Sequence, residues 1–448
     1  MNQKKTKHLN LVICFSVLAL ALSAGAVEQL TLPQVLQYGL EHNLSLRQQK
    51  TELDKSKEEI SANRAKLLPQ ISAFASLNDN FEPPVSMSDQ SAMGKPYNIT
   101  HTLQYSSAVG LQLNMQLFNW TVYTSQKIVR LTDEIKNVGY QQARENFIIQ
   151  ISKMYYIAQV TSRQIELAEE DLELLKELQE IASAVYENGM VLEVDLQRVN
   201  VNIENLSSQI DNARAMLKQQ LNSIKFAIDY PAETEIEVES LEQELMDKND
   251  RSGLSYNLYE FQLLNMKESI EKKKLNMVNA GYLPTLTLSG FFQYNAWTDK
   301  IGHWLDRDHE SNKWYRSDGI GLMLRVPIFD GLERASKVNE GKFEIEKIQL
   351  QKIELKNNLE NRYYNAQIDL ENSERNYRKQ KNNYELAESI YKNTMEQYKE
   401  GVGKMSDVLQ DEIRMSEART GYLNAYLNYK LSSLEILRLE GKTNLILE

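Results

Sequence analysis

Apolar and polar residues alternate in two different rhythms along this 448-residue chain, and each rhythm marks its own class of element. In the first, Val109, Leu111, Leu113, Met115 and Leu117 are interleaved with Gly110, Gln112, Asn114 and Gln116. A repeat of two is that of a strand whose faces meet different surroundings. A second such run sets Ile320, Leu322, Leu324, Val326 and Ile328 against Gly321, Met323, Arg325 and Pro327. Two less regular runs carry Ile71, Ala73, Ala75 and Leu77, and Leu286, Leu288, Phe292 and Tyr294. Each is about ten residues long, the length a tilted strand needs to cross a bilayer.

The second rhythm steps by three and four, as in coiled coils. Val199, Ile203, Leu206, Ile210, Ala213 and Leu217 follow it, then, past a polar Gln220, Ile224 and Ala227. Tyr363, Leu370, Tyr377, Tyr384, Tyr391 and Tyr398 recur every seven residues, with Ala366, Ser373, Gln380, Ala387 and Thr394 as the small or polar stripe between them. Large residues facing small ones suit helices packed side by side in a wall, although an ordinary solvated coiled coil accounts for the stripes equally well. Proline-free stretches predict long helices over 121–187 and 331–400. At ~1.5 Å per residue each reaches roughly 100 Å, more than a single globular core needs.

Both rhythms occur twice, in the same order, about 212 residues apart. Leu67-Leu68-Pro69-Gln70-Ile71 answers Tyr282-Leu283-Pro284-Thr285-Leu286, and Gly110-Leu111-Gln112-Leu113 answers Gly321-Leu322-Met323-Leu324. Tyr186-Glu187-Asn188-Gly189 with Asp195 answers Tyr398-Lys399-Glu400-Gly401 with Asp407. The chain is therefore read as an internal duplication. Residues 1–26 form a signal peptide. Residues 27–245 form a first repeat: a helix, strands over 68–78 and 106–118, the long helix 121–187, a return helix 193–228 and a connecting equatorial segment 229–250. Residues 251–448 form the second: a helix, strands over 284–296 and 318–329, the long helix 331–400 and a return helix 404–440.

The signal peptide rests on Lys4, Lys5 and Lys7 before an apolar run from Leu11 to Leu22 and the small Ala24-Gly25-Ala26. Cys14 is the only cysteine and lies inside it, so the mature chain has no thiol. Lipidation at Cys14 is disfavoured, because cleavage there leaves an apolar core of about five residues, below the usual ~7 to 15. Losing three lysines and no acid takes the formal charge from −11 to −14, which argues against nucleic acid as a partner. With 8 prolines and 18 glycines the composition favours long helices. No later apolar run of ~18 residues predicts a transmembrane helix, so a membrane-spanning region has to be a β-barrel.

Four strands cannot close such a barrel, because the smallest have about eight. Unpaired edges in lipid cost several kcal/mol per group, so several copies must share one barrel. Symmetry alone does not choose three over four. Aromatic residues gather at the strand ends, Phe118, Trp120 and Tyr123 on one side and Trp297, Trp304 and Trp314 on the other, as in the interfacial girdles of membrane barrels. The competing reading is a soluble four-stranded sheet with one buried face.

Several motifs resemble the TolC-like outer-membrane efflux protein family over nearly the whole mature chain. Leu30 to Leu36 with Glu41-His42-Asn43-Leu44-Ser45-Leu46 is similar to the family's opening helix, and Ala65 to Ile71 to its lead-in to the first strand. Val326-Pro327-Ile328-Phe329-Asp330-Gly331 is similar to the turn into the second long helix. Gly401 to Leu409, then Ala418, Tyr422, Ala425 and Tyr429, resembles the second hairpin tip and its return helix. The resemblance implies a mainly α fold with membrane β: a trimeric, 12-stranded shared β-barrel with 4 strands per chain, continued by a long coiled-coil α-helical periplasmic barrel. It implies a passive exit duct in the outer membrane, served by a periplasmic adaptor (membrane fusion protein) and an inner-membrane efflux pump or ABC exporter.

The same resemblance assigns the turns Tyr186 to Asp195 and Tyr398 to Asp407 to the periplasmic gate and adaptor-docking tips. Gly189 and Gly401 suit a tight helix reversal. Tyr398 is placed to donate a hydrogen bond to Asp195 of the neighbouring hairpin; the alternative is that Tyr398 ends the heptad stripe and Asp195 caps the next helix. Three positions depart from the family pattern. Gln410 stands where a second acid after Asp407 is expected, with Asp411 as a substitute on a different face; Gly403 replaces a basic residue; and Gln116 replaces a proline. His303, Asp306, Asp308, His309 and Glu310 are read as a solvated loop rather than a metal site. Without a phosphate loop, nucleophile motif or zinc pair, neither a cofactor nor enzymatic activity is expected. A periplasmic coiled-coil adaptor and a structural spacer are the alternatives.

Overall fold

The computed structural model describes residues 28–82, 85–90, 95–101, 103–187, 192–241, 253–300, 302 and 313–447. The signal peptide, Gly189, Trp304 and the His303 to Glu310 cluster lie outside them. In chain order the elements are β1 (Glu28–Leu30), α1 (Leu32–His42), α2 (Leu44–Ala65), β2 (Gln70–Asp79), β3 (Val85–Gln90), β4 (Lys95–His101), β5 (Tyr105–Phe118), α3 (Trp120–Glu187) and α4 (Glu193–Ile228). Then come β6 (Ile236–Val238), α5 (Tyr259–Ala280), β7 (Thr285–Thr298), β8 (Tyr315–Arg325), α6 (Glu333–Lys399), α7 (Met405–Leu439) and a final 3-10 turn. Two compact units form: one from residues up to Thr51, Val138–Gln262 and Ile353 onward, the other from Glu52–Asn137 and Leu263–Lys352. Each unit draws on both halves of the duplicated sequence.

The second unit holds a four-stranded antiparallel sheet in the order β2-β5-β7-β8. Pairing of β5 with β7 joins the two halves, with Leu111 opposite Phe292 and Leu113 opposite Gly290. On the flanks Ala73 meets Leu111 and Leu288 meets Leu322. As far as Met115 and Leu324, this register puts the four apolar series on one face, because alternate residues of a strand point the same way. Ser72, Gln112, Asn114, Ser289 and Gln293 alternate with them on the other face. Two boundaries shift for reasons the backbone shows. β8 stops at Arg325, short of Pro327, which has no N–H for a ladder. The following helix begins at Glu333 rather than 331, since Gly331 and Leu332 both turn left-handed, at φ 66° and 69°. The segment expected to be a plain polar loop between the first two strands contains the hairpin β3–β4.

The first unit is built on helical hairpins. The expected opening helix is divided at Asn43, whose side chain accepts from Leu46 N–H and donates to Ala227 O, making it the end of α1 and the cap of α2. Thr31 and Gln34 form a reciprocal capping box at the start of α1. A short parallel pair, β1 with β6, is tied by Tyr155, whose hydroxyl donates to Leu30 O and accepts from Glu239 N–H. Strands of three residues carry too little periodicity to be read from sequence. Beneath them Leu36, Ile151, Ile224 and Ile228 are fully buried. The heptad stripes fill two further cores: Leu175, Leu178, Val199 and Ile210 with Tyr391 and Val408, and Leu359, Leu370 and Tyr377 with Tyr422, Tyr426 and Tyr429. Tyr384 stacks on Tyr422 at 5.7 Å between ring centroids. Among the described residues no helix is long and apolar enough to cross a membrane.

Candidate functional site: the sheet face and the hairpin tips

The apolar face of the sheet is uncovered. Ile320 is 77% exposed, Ile71 70% and Leu322 66%, and Val109, Leu111, Phe292 and Tyr294 on the same face are exposed too. In water, this many large apolar side chains on one continuous surface mark an interaction or membrane site. Both ends of the sheet carry exposed aromatics. Phe118, Trp120 and Tyr123 lie at one, with ring centroids 6.3 and 6.1 Å apart along the series; Trp297, Trp314 and Tyr315 lie at the other. Among the described residues β2 and β8 each pair on one side only, leaving two open edges.

The second hairpin tip follows from its glycines. α6 ends at Lys399, and Gly401 takes φ 76°, a left-handed conformation that costs glycine little. The N–H groups of Val402 and Gly403 both donate to Gln397 O, at 3.0 and 2.9 Å, so the chain folds back over the helix end. A Cβ on Gly403 would lie 2.9 Å from Tyr398 N and 3.1 Å from Gln397 C. The turn as folded has no room for a side chain at this position.

Around this turn the predicted residues take separate places. Asp407 is exposed in the first turn of α7 and accepts from Ser406 Oγ, and Gln410 is exposed. Asp411 is held by Thr394 Oγ1 at 2.8 Å and by Arg414 at 3.2 Å. Tyr186 is exposed near the end of α3. Tyr398 is 8% exposed, and among the described residues its hydroxyl has no hydrogen-bond partner. Burial, with the Asp195 charge added, pushes its pKa up. Asp195 instead accepts from Arg198 one turn along, at 3.1 Å. It does not cap α4 either; Leu192 is the cap residue, and Asp195 sits in the first turn, where a negative charge opposes the positive helix end. Above the tip, Gln380, Leu386, Ile390, Asp411, Arg414 and Gly421 line a groove of about 500 Å³ between α6 and α7.

One constellation is not among the predicted site residues. Asp171, Glu412 and Arg419 are buried between α3, α6 and α7. Each occupies a step of an otherwise apolar stripe: Ala168, Asp171, Leu175, Leu178 on α3, and Val408, Glu412, Met415, Arg419, Tyr422 on α7. Charges on stripe positions were the signal available in the sequence.

The fold is that of known outer-membrane channels. The outer-membrane channel OprN superposes with a TM-score of 0.70 at 14% identity, over 92% of this chain and 90% of that one. The outer membrane protein VceC of Vibrio cholerae gives 0.70 at 15% identity over 91% and 96%, and the Campylobacter jejuni channel CmeC 0.70 at 17% over 92% and 86%. No curated protein matches the sequence. Residues 35–228 and 271–442, most of the chain, match the sequence profile of the outer membrane efflux protein family, and the chain belongs to that family. It is accordingly an efflux protein and not an enzyme.

Proposed function

We propose that the protein is the passive outer-membrane exit duct of a tripartite efflux or type I secretion system, assembled as a homotrimer and extending into the periplasm. The observation that carries this reading is the exposed apolar sheet face bounded by two open edges. Edge strands in lipid have to be paired, and joining β8 of one copy to β2 of the next does so without leaving an orphaned group. Three copies of a four-stranded sheet make a barrel of twelve strands, wide enough for an aqueous lumen. The polar face then meets the lumen, and the aromatic ends meet the two lipid headgroup layers.

The helical hairpins would form the tunnel through which an inner-membrane pump or ABC exporter, working through a periplasmic adaptor, discharges its cargo. Family membership supports this partnership, and the groove between α6 and α7 offers exposed Leu386 and Ile390 to an adaptor helix. In the duct the tips Tyr186 to Asp195 and Tyr398 to Asp407 form the gate. The buried, unpartnered hydroxyl of Tyr398 is the group poised to donate to a neighbouring copy on closure. A periplasmic adaptor or a structural spacer would leave the sheet face without a purpose. Membrane fractionation followed by a test for a heat-modifiable trimer that conducts ions in a planar bilayer decides the matter; a freely soluble monomer would reject the duct.

A further inference from the structure

The cluster of Asp171, Glu412 and Arg419 holds two buried carboxylates against one guanidinium. Arg419 commits itself to one of them: its guanidinium donates to Asp171 and to Leu167 O at 2.9 Å, with Ser416 Oγ at 3.4 Å. Glu412, 6% exposed, makes no hydrogen bond or ion pair among the described residues. Among the described residues two fully buried polar atoms beside it lack partners, the hydroxyl of Tyr391 and Nε of Arg419. An ionised carboxylate left this way is costly, whereas a neutral carboxyl is tolerated far better.

The charges around it point the same way. Burial and the neighbouring Asp171 push Glu412 up, against the opposing pull of Arg419, to about 7 from an ordinary 4.5. On α3, Glu170 adds negative charge beside Asp171 and Glu177 beside Tyr391; on α6, Glu388 does so beside Asp171 and Tyr384. Asp171 is itself raised, mainly by burial. On α7, Arg419 is the one cation acting on Glu412.

We infer that Glu412 is a proton-operated latch on the packing of α3, α6 and α7: uncharged, it lies buried and the helices stay packed, and ionised, it favours a loosened arrangement in which water reaches the cluster. The sign follows from linkage. The carboxyl binds its proton more tightly packed than loosened, so packing is fully favoured below about 4.5 and weakens as pH rises through about 7. If loosening solvates the carboxyl fully, the equilibrium constant for opening rises on the order of 50-fold between pH 5 and pH 8. That this loosening opens a gate rests on the duct reading above; the latch itself does not.

Hydrogen exchange on the full-length detergent-extracted oligomer tests it, read on peptides of α7 from Met405 to Leu423 and corrected for the intrinsic pH dependence of exchange. The expected result is a rise in opening centred near pH 7 in the wild type, abolished in Glu412→Gln at the protected level, and kept in Glu371→Gln, an exposed acid of α6. A wild type without the rise, or a Glu412→Gln protein that retains it, overturns the latch. Should that variant not assemble, the infrared band of protonated carboxyl in the wild type has to disappear between pH 6 and 8, and its absence at pH 6 overturns the latch as well. Planar-bilayer conductance over the same range separates the two claims: an exchange shift lost in Glu412→Gln alongside flat conductance upholds the latch and rejects its role in a gate.

Discussion

Replacing Ile320 by arginine asks directly whether the apolar sheet face meets lipid or water. Ile320 is the middle residue of β8, 77% exposed, directly opposite Gly290 of β7. In an aqueous protein a surface position this open tolerates most substitutions within about 0.5 kcal/mol. On the lipid face of a membrane barrel, arginine near the midplane costs about 2 to 4 kcal/mol. In a trimer the substitution occurs three times, so the assembled barrel would lose roughly three times that. Asn114→Arg is the matched control: it is exposed on the opposite face of the same sheet, where it would meet the lumen and should change stability little. Urea unfolding in phospholipid vesicles, followed by the heat-modifiable gel shift, reads both. The expected outcome is a large drop in midpoint for Ile320→Arg with an unchanged slope, and almost none for Asn114→Arg. Equal and small effects in the two variants would refute the lipid-facing assignment.

Gly403→Arg should break the second tip, since even a Cβ meets the backbone of Gln397 and Tyr398; overpacking of about 1 to 3 kcal/mol is expected, visible as faster proteolysis between Lys399 and Lys404. Tyr398→Phe removes a hydroxyl that is buried without a partner among the described residues, so stability should hold or rise by up to about 1 kcal/mol. If that hydroxyl closes the gate in the trimer, single-channel conductance should increase, and unchanged conductance removes the gate contact. Arg419→Met strips the one cation from two buried carboxylates and should cost about 3 to 5 kcal/mol at pH 8. The loss should shrink towards pH 5, because Asp171 and Glu412 both have raised pKa values and take up protons first; a loss independent of pH in thermal melts would show that the carboxylates are not its cause.

The sequence by itself determined the elements that repeat with a fixed period. The alternation through Val109 to Leu117 and Ile320 to Leu324 specified strands with one apolar face, and the tyrosine heptads from Tyr363 to Tyr398 specified which side of α6 is buried. Periodicity is a local property, and each of these signals is long enough to stand above composition. Pairing was a different matter. That β5 lies beside β7, placing Leu111 against Phe292 and joining the two halves in one sheet, depends on contacts across some 180 positions. The parallel pair β1–β6, the break at Asn43 and the left-handed Gly331-Leu332 turn were beyond reach for a related reason: each spans too few residues for a period, and the first two are held by partners distant in sequence. The candidate site divides along the same line. Gly401 and the second turn were legible because a glycine after a long heptad run marks a reversal. The absence of space at Gly403 and the capture of Asp195 by Arg198 are local but carry no period, and the burial of Asp171, Glu412 and Arg419 in one core was decided only by tertiary structure. A charged residue on a stripe reads as an interruption until the neighbouring helices show that it is enclosed, and enclosure gives its proton a structural effect.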